Sequence, residues 1–348
     1  MKKYLNIIAK KRYDMNKIKI AIIDTGIKYD NIFLKEKIKF NQSLQFSNKY
    51  KKIEDIYDVN GHGTLCALTI NSICSNIEIY PIKLFNDEGR GSSLNLLIVL
   101  KKLLYSDIKV INIAASFSRG LYDEDISKVC ESLKNKGKIL VASNYNTDKK
   151  ISCLATMKSV IGVGNLENAY FDHEFIFNRS NDIQLKGNNK VCFYCIDDQV
   201  ELFGKNSRLS CVISAFISNI LLDKGDLAFE EIEDSLENLS KINEKETFCH
   251  ESEYKTEYKE YYDELLEIVN SKYIINKSRP ISLKTLLKLG IINPYISINK
   301  YNIDSFIKSI NNRFNVCISL NGLFLHQVTT INSLIKIIIK YRKEIRHA

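Results

Sequence analysis

The sequence predicts an α/β fold: a parallel sheet covered on both sides by helices, in three layers, followed by a small all-helical domain. Three observations carry that expectation. Short runs that are apolar on both faces recur along the first two thirds of the chain, amphipathic stretches lie between them, and beyond a polar segment the apolar residues keep helical spacing alone. Strands buried on both faces and alternating with amphipathic helices are the signature of a parallel sheet.

Taken in order, the expected strands are "KIKIAIID" from Lys17 to Asp24, "IEIYPIKLF" from Ile77 to Phe85, "VINIAAS" from Val110 to Ser116, "KILVAS" from Lys138 to Ser143 and "SVIGVG" from Ser159 to Gly164. "SLNLLIVLKKLLYS" and "DISKVCESLKNKG" supply helices between them, and "AFEEIEDSLENLS" supplies one more afterwards. "NSRLSCVISAFISNILLD", from Asn206 to Asp223, has small residues at Ser210, Ser214 and Ala215 and apolar ones around them, the pattern of a buried helix with a close-packed face. The expected domains are residues 1–242, a polar linker at 243–257 and a helical domain at 258–348, in which "YYDELLEIVNSKYII", "SLKTLLKLG", "NIDSFIKSINNRF" and "INSLIKIIIKYRK" are helices. As a separate domain, the last is expected to be dispensable for cutting short peptides.

Composition narrows the function. The net charge of +9 comes from 50 Lys and Arg against 41 Asp and Glu, interleaved along the chain rather than gathered into one basic face, so no nucleic-acid partner is expected. No run of eighteen or more apolar residues occurs, and "YLNIIA" near the start is too short for a signal peptide, so the expected location is the cytoplasm, away from membranes. The nine cysteines read as free thiols in a reducing compartment. "CFYC" at Cys192 to Cys195 has zinc or redox spacing, yet no second pair or nearby histidine completes a site, and no metal or other cofactor is expected.

Five histidines, His62, His173, His250, His326 and His347, are the candidates for acid–base chemistry. His62 stands out in "NGHGTLCALTI", where flanking glycines allow close backbone approach and a helix follows. Asp24 closes the first buried strand in "IAIIDTGI", and a buried carboxylate needs a hydrogen-bonding partner such as an imidazole N–H. Ser207, at the head of its helix, adds a hydroxyl, with Ser210 as the rival. An imidazole oriented by a carboxylate is what turns a serine hydroxyl into a nucleophile.

With these motifs in the order Asp, His, Ser, the chain resembles the subtilisin-like serine peptidases over roughly residues 15–240. "IAIIDTGI" is similar to the family's aspartate motif, "NGHGTLCA" to its histidine motif and "SRLSCVISAFISNIL" to the helix headed by its serine. The resemblance implies an endopeptidase with Asp24, His62 and Ser207 as triad. It implies an asparagine donor to the oxyanion at Asn144, with Asn146 as the alternative. It also implies a cleft in which the loop bearing Gly89, Gly91 and Ser92 and the strand end Ala114, Ala115 and Ser116 pair with an extended peptide. The chain departs from the family pattern at Lys205-Asn206, where Gly-Thr is usual, at Cys211, where proline is usual, and at Ala114-Ala115-Ser116.

The last part of the chain, from "FIKSINNRF" to "IIIKYRK", resembles the later helices of acyl carrier proteins, but neither Ser297 nor Ser305 has the spacing of a phosphopantetheine serine. A degenerate carrier-like domain beside a peptidase implies maturation of a ribosomally made precursor peptide, with a maturation enzyme as a further partner. The alternative is a peptide-binding scaffold that keeps the cleft and lacks turnover.

Overall fold

Isoleucine and valine favour strands because their branched side chains pack well on a pleated surface, and in the computed structural model these segments form the centre of the first unit. The structure describes residues 17–40, 43, 45–46, 52, 54–147, 150–197, 199–240 and 253–346. The amino-terminal segment to residue 16, most of the expected linker, and Cys249, His250 and His347 lie outside the described residues.

In chain order the first unit contains β1 (Ile18–Asp24), α1 (His62–Ile73), β2 (Ile77–Lys83), α2 (Ser93–Leu103), β3 (Val110–Ile113), α3 (Asp123–Asn135), β4 (Ile139–Ser143), β5 (Ile161–Asn165), β6 (Phe175–Phe177) and β7 (Leu185–Gly187). The sheet runs β2-β1-β3-β4-β5-β7-β6, parallel except for β6 against β7. Pro81 sits inside β2, which is tolerated because β2 is the outermost strand and its outer edge has no neighbouring strand of the sheet to donate to. Ile20, Ile23, Val110, Ile111, Ile139 and Val141 are fully buried. Each such side chain stabilises the fold by about 1.5–3 kcal/mol.

The strand order reverses at β1, which has β2 on one side and β3 on the other. In open parallel sheets a crevice forms outside the carboxyl ends of the strands at such a switch point. Asp24 is the last residue of β1, so topology alone places it at the mouth of that crevice.

After the hairpin strands β8 (Cys192–Ile196) and β9 (Gln199–Phe203) comes α4 (Lys205–Lys224), then α5 (Phe229–Leu239). The small residues of α4 form a ladder in which Ser210, Ser214 and Ser218 each donate to a carbonyl one turn back at 2.8 Å. Asn112 of β3 donates to Ser210 at 3.3 Å and to Ser214 at 3.0 Å, which seats this helix face on the sheet.

The second unit holds α6 (Lys259–Ile268), a π-helical turn at Val269–Tyr273, α7 (Leu283–Leu289), α8 (Ile303–Phe314), α9 (Leu325–Thr329) and α10 (Ile331–Arg346). Its core gathers Tyr262, Leu265, Phe306, Ile310, Leu334 and Ile338, and Tyr262 donates to Asn332 at 2.6 Å. Its carboxy-terminal part is helical, as the sequence predicts, and a hairpin from earlier in the chain joins it. Lys190–Lys205, carrying the β8–β9 hairpin, groups with this unit, while the first unit resumes at Asn206. Phe193 is buried in the helical core, its N–H donates to Leu323 O at 2.9 Å, and Gly322 N–H donates back to Phe193 O at 2.9 Å. Leu325 N–H to Val191 O and Cys195 N–H to Asn321 Oδ1 complete the attachment at 2.8 and 2.7 Å. Of the two serines weighed for a carrier role, Ser297 donates to Tyr273 O at 2.9 Å and Ser305 is exposed on α8. Among the described residues no helix is long and apolar enough to cross a membrane.

Candidate active site

The turn after β1 and the start of α1 are fastened together by one aspartate that the sequence did not single out. Asp58 is fully buried and accepts from Thr25 Oγ1 at 2.8 Å, Gly61 N–H at 2.8 Å, and the N–H and hydroxyl of Thr64 at 2.7 Å each. Thr25 Oγ1 in turn accepts from Gly63 N–H at 3.0 Å. Gly63 allows this closeness, since a Cβ there would lie 2.2 Å from Gly26 O. Gly26 itself has φ +113° and faces Ile56 O, so only glycine fits.

This framework places His62 beside Asp24. The imidazole Nδ1 lies 2.8 Å from Asp24 Oδ1, which also accepts from Thr25 N–H at 2.8 Å. Asp24 is 1% exposed and the His62 side chain 33%. Burial opposes the charged imidazolium, but the Asp24 carboxylate outweighs it by charge and hydrogen bond, and the pKa of His62 is pushed up to about 9. Because the folded value lies above the ordinary 6.5, the pair's stabilisation is complete below pH 6.5 and is lost as pH rises through about 9. A general base must be neutral. The alkaline-going limb of kcat/KM is therefore expected above the usual imidazole range, toward pH 9, and a pH profile with its midpoint at or below 6.5 would contradict the pairing.

Beneath the dyad lie two thiols. Cys66 is fully buried, with Sγ 3.7 Å from Asp24 Oδ2 and 3.8 Å from His62 Nδ1, and it hydrogen-bonds Cys211. Burial, then Cys211 and the neighbouring carboxylates, push the Cys66 thiol far up, so it is protonated. Cys211 lies one turn after Ser207, 3.2 Å from Ser207 O and 3.7 Å from Asn112 Oδ1.

Ser207 is half-buried in the first turn of α4, and its hydroxyl donates to Ala114 O at 2.8 Å, just past the end of β3. Its rival Ser210 is fully buried, its hydroxyl taken by Ser207 O and Asn112. Both neighbours of Ser207 are held by side-chain bonds. Asn206 donates to Tyr145 O at 2.8 Å and Asn144 O at 3.3 Å, and the buried Arg208 makes a two-pronged ion pair with the half-buried Asp172 at 2.7 Å on each prong. Lys205 adopts φ +61°, the left-handed conformation at the position where glycine is usual in the resemblance.

The two asparagines separate. The Asn144 carboxamide oxygen accepts from Ser152 N–H at 2.8 Å, which fixes it toward its own loop. Asn146 instead accepts from Asn206 N–H at 3.0 Å, so it is the side chain brought to the N-terminal turn that carries Ser207. Both line a cavity of about 440 Å³ with Tyr145, Asn165, Ile183 and Asn206. In the other expected wall, Gly89 turns the chain at φ +74°, Gly91 packs against the Phe85 ring and Ser92 caps α2 by accepting from Asn95 N–H at 3.5 Å. Leu84 and Phe85 N–H both donate to Asp24 O, so this loop starts at the same strand end as the dyad. Ala115 and Ser116 are half-buried beyond β3. His173 stacks on Phe171 and His326 on Phe324.

Among solved structures, the chain is similar to one titled "Sphericase", at 16% identity and a TM-score of 0.50, over 67% of this chain and 88% of that one. It is also similar to a lanthipeptide protease, at 15% identity and 0.49 over 62% and 78%, and to a cold adapted subtilisin-like serine proteinase, at 15% identity and 0.49 over 66% and 85%. No curated protein matches the sequence. The model of the subtilase family matches residues 15–330, most of the chain and all the motifs described above. The chain belongs to the subtilase family of serine proteases.

Proposed function

We propose that the protein is a serine endopeptidase acting through Asp24, His62 and Ser207. The observation that carries this reading is the 2.8 Å bond from the imidazole Nδ1 to a buried carboxylate, which leaves the opposite ring nitrogen as the base. Ser207 leaves the Ala114 carbonyl and gives up its proton to that nitrogen as Oγ bonds to the substrate carbonyl carbon. The oxygen that becomes negative is held by Ser207 N–H and the Asn146 carboxamide. His62 passes the proton to the leaving amine, and water then frees the acyl group by the same steps in reverse.

Asn146 replaces Asn144 as the proposed donor because Asn144 is bound to Ser152 while Asn146 meets the turn before Ser207. Asn146→Ala is expected to lower kcat by about 10²–10³-fold with KM little changed. Asn144→Ala is expected to change kcat by less than about tenfold, and steady-state kinetics giving the reverse order would return the role to Asn144.

The proposed substrate is a precursor peptide, laid as an added strand along Ala114 to Ser116 and the Gly89 to Ser92 loop, with one side chain in the cavity beside Asn146. The second unit is proposed to recruit that precursor or a maturation enzyme. Cys66, Cys74, Cys130, Cys153, Cys211 and Cys317 are free thiols, which fits action in the cytoplasm. A second reading, a peptide-binding scaffold without turnover, is favoured by the Ser207 hydroxyl resting on Ala114 O and by the left-handed Lys205. Titration with a fluorophosphonate decides between them. Stoichiometric labelling of Ser207 supports the peptidase, and none between pH 7 and about pH 10 supports the scaffold.

A further inference from the structure

Three donors of different chemistry converge on one point below the proposed base, and they are the ligand types of zinc. Asp24 offers a carboxylate oxygen from the end of β1, while His62 and Cys66 stand four residues apart on α1 and so share a helix face. Their ligand atoms all lie within 4.8 Å of one another.

We propose that Asp24, His62 Nδ1 and Cys66 Sγ bind a zinc ion, and that this ion inhibits the peptidase by capturing its dyad; the inhibition, though not the binding, rests on the function proposed above. Zinc–sulfur distances near 2.3 Å and zinc–nitrogen or zinc–oxygen distances of 2.0–2.2 Å place neighbouring tetrahedral donors about 3.3–3.6 Å apart. The sulfur stands 3.7 Å from Asp24 Oδ2 and 3.8 Å from the ring nitrogen, close to that spacing, while the ring nitrogen lies 2.8 Å from the other carboxylate oxygen, Oδ1, and has to draw back from it by roughly 0.5 Å for an ion to enter.

The charges also balance. The metal-free set holds one carboxylate, one imidazolium and one neutral thiol. Binding removes the Cys66 thiol proton and the His62 Nδ1 proton, both released to water. The two positive charges of the ion are then matched by carboxylate and thiolate, so the buried set stays neutral overall. No redox step is involved. Asp24 and Cys66 are buried, and His62, a third exposed, gives the ion its route from solvent. With Nδ1 on the metal, the imidazole can no longer donate to Asp24, and the orientation that activates a serine is lost.

No metal is expected from the sequence alone, because "CFYC" has no second cysteine pair or nearby histidine to complete a site. The donor set here combines residues from two separated motifs. Cys66 is one turn after His62 in "HGTLC", and Asp24 lies 38 residues earlier.

The test uses the full-length protein and zinc ion alone, read by competition with a chromophoric zinc indicator, together with cobalt(II) substitution. The wild type is expected to bind one ion per chain and, with cobalt, to show a thiolate-to-metal charge-transfer band and the strong visible bands of a tetrahedral site. Cys66→Ser should weaken zinc binding at least tenfold and abolish the charge-transfer band, with circular dichroism verifying that the variant is folded. Ser207→Ala should bind as the wild type does. Absence of the band in the wild type, or unchanged binding in folded Cys66→Ser, overturns the site. In the wild type, zinc should also suppress fluorophosphonate labelling and a chelator restore it. Zinc bound with labelling unimpaired overturns the inhibition, whereas zinc bound by a wild type that never labels retains the site and removes the peptidase reading instead.

Discussion

Ser207→Ala is expected to abolish fluorophosphonate labelling and to lower peptide turnover by about 10⁶-fold, the size of loss recorded when the serine of a subtilisin is removed. The residual rate reflects binding and oxyanion stabilisation alone. Stability should change by only about 1 kcal/mol, because one half-buried hydroxyl loses one hydrogen bond, to Ala114 O. Ser210→Ala is the control. Its hydroxyl is fully buried among Ser207 O and Asn112, and Asn112 keeps Ser214 as a partner after the change, so labelling should persist. Active-site titration of both variants beside a urea melt reads the two effects separately. Labelling retained in Ser207→Ala and lost in Ser210→Ala would identify the other serine as the nucleophile.

Deleting residues 253–348 is expected to reduce labelling at Ser207 more than a hundredfold, even with a probe too small to need peptide recognition. The expectation from the sequence was the opposite, that the last domain is dispensable for short substrates. The reason for the reversal is the β8–β9 hairpin. Deletion strips Phe193 of its apolar surroundings and strands four hydrogen-bonded backbone positions, at Val191, Phe193 (twice) and Cys195. Losing the burial of one phenylalanine costs about 1.5–3 kcal/mol, and each hydrogen bond adds about 0.5–1.5 kcal/mol, more than an isolated two-stranded hairpin can supply. That hairpin ends at Phe203, two residues before Lys205 and four before Ser207. A truncated protein labelled within threefold of the full-length rate would show that the turn holds without it. Phe193→Ala in the full-length chain tests the same link more gently, with an expected stability loss of about 3–5 kcal/mol.

Much of the first unit was legible because its strands are buried on both faces and carry that fact locally, in runs such as "KIAIID". Asp24 and His62 stood out because each lies in a short glycine-bearing motif, at the end of a strand and the start of a helix, and the structure sets them 2.8 Å apart. Asp58 did not stand out. It is a single aspartate in a polar loop, and only the folded chain reveals that four donors converge on it. The different partners of Asn144 and Asn146 were not legible for a comparable reason. Counting from the end of β4 favours the first loop residue, but the backbone there turns the Asn144 side chain toward Ser152, a contact that no local pattern announces. The hairpin looked like one more piece of the first domain because "CFYC" alternates like any strand. Phe193 finds its backbone partners near Leu323, far beyond the reach of sequence periodicity.

The chain enters the second unit at Lys190, leaves it at Lys205 and returns to it after residue 242. This threading has a consequence for biosynthesis. A ribosome delivers Ser207 and all of α4 well before Tyr262, Phe306 or Leu334, the residues that form the core around Phe193. Domains made of contiguous chain can fold as they emerge, but here the segment leading into the serine must wait for partners translated last. Assembly of the turn that leads into Ser207 is thereby deferred until Tyr262, Phe306 and Leu334 have all been translated, and a nascent chain still short of them carries that turn unsupported.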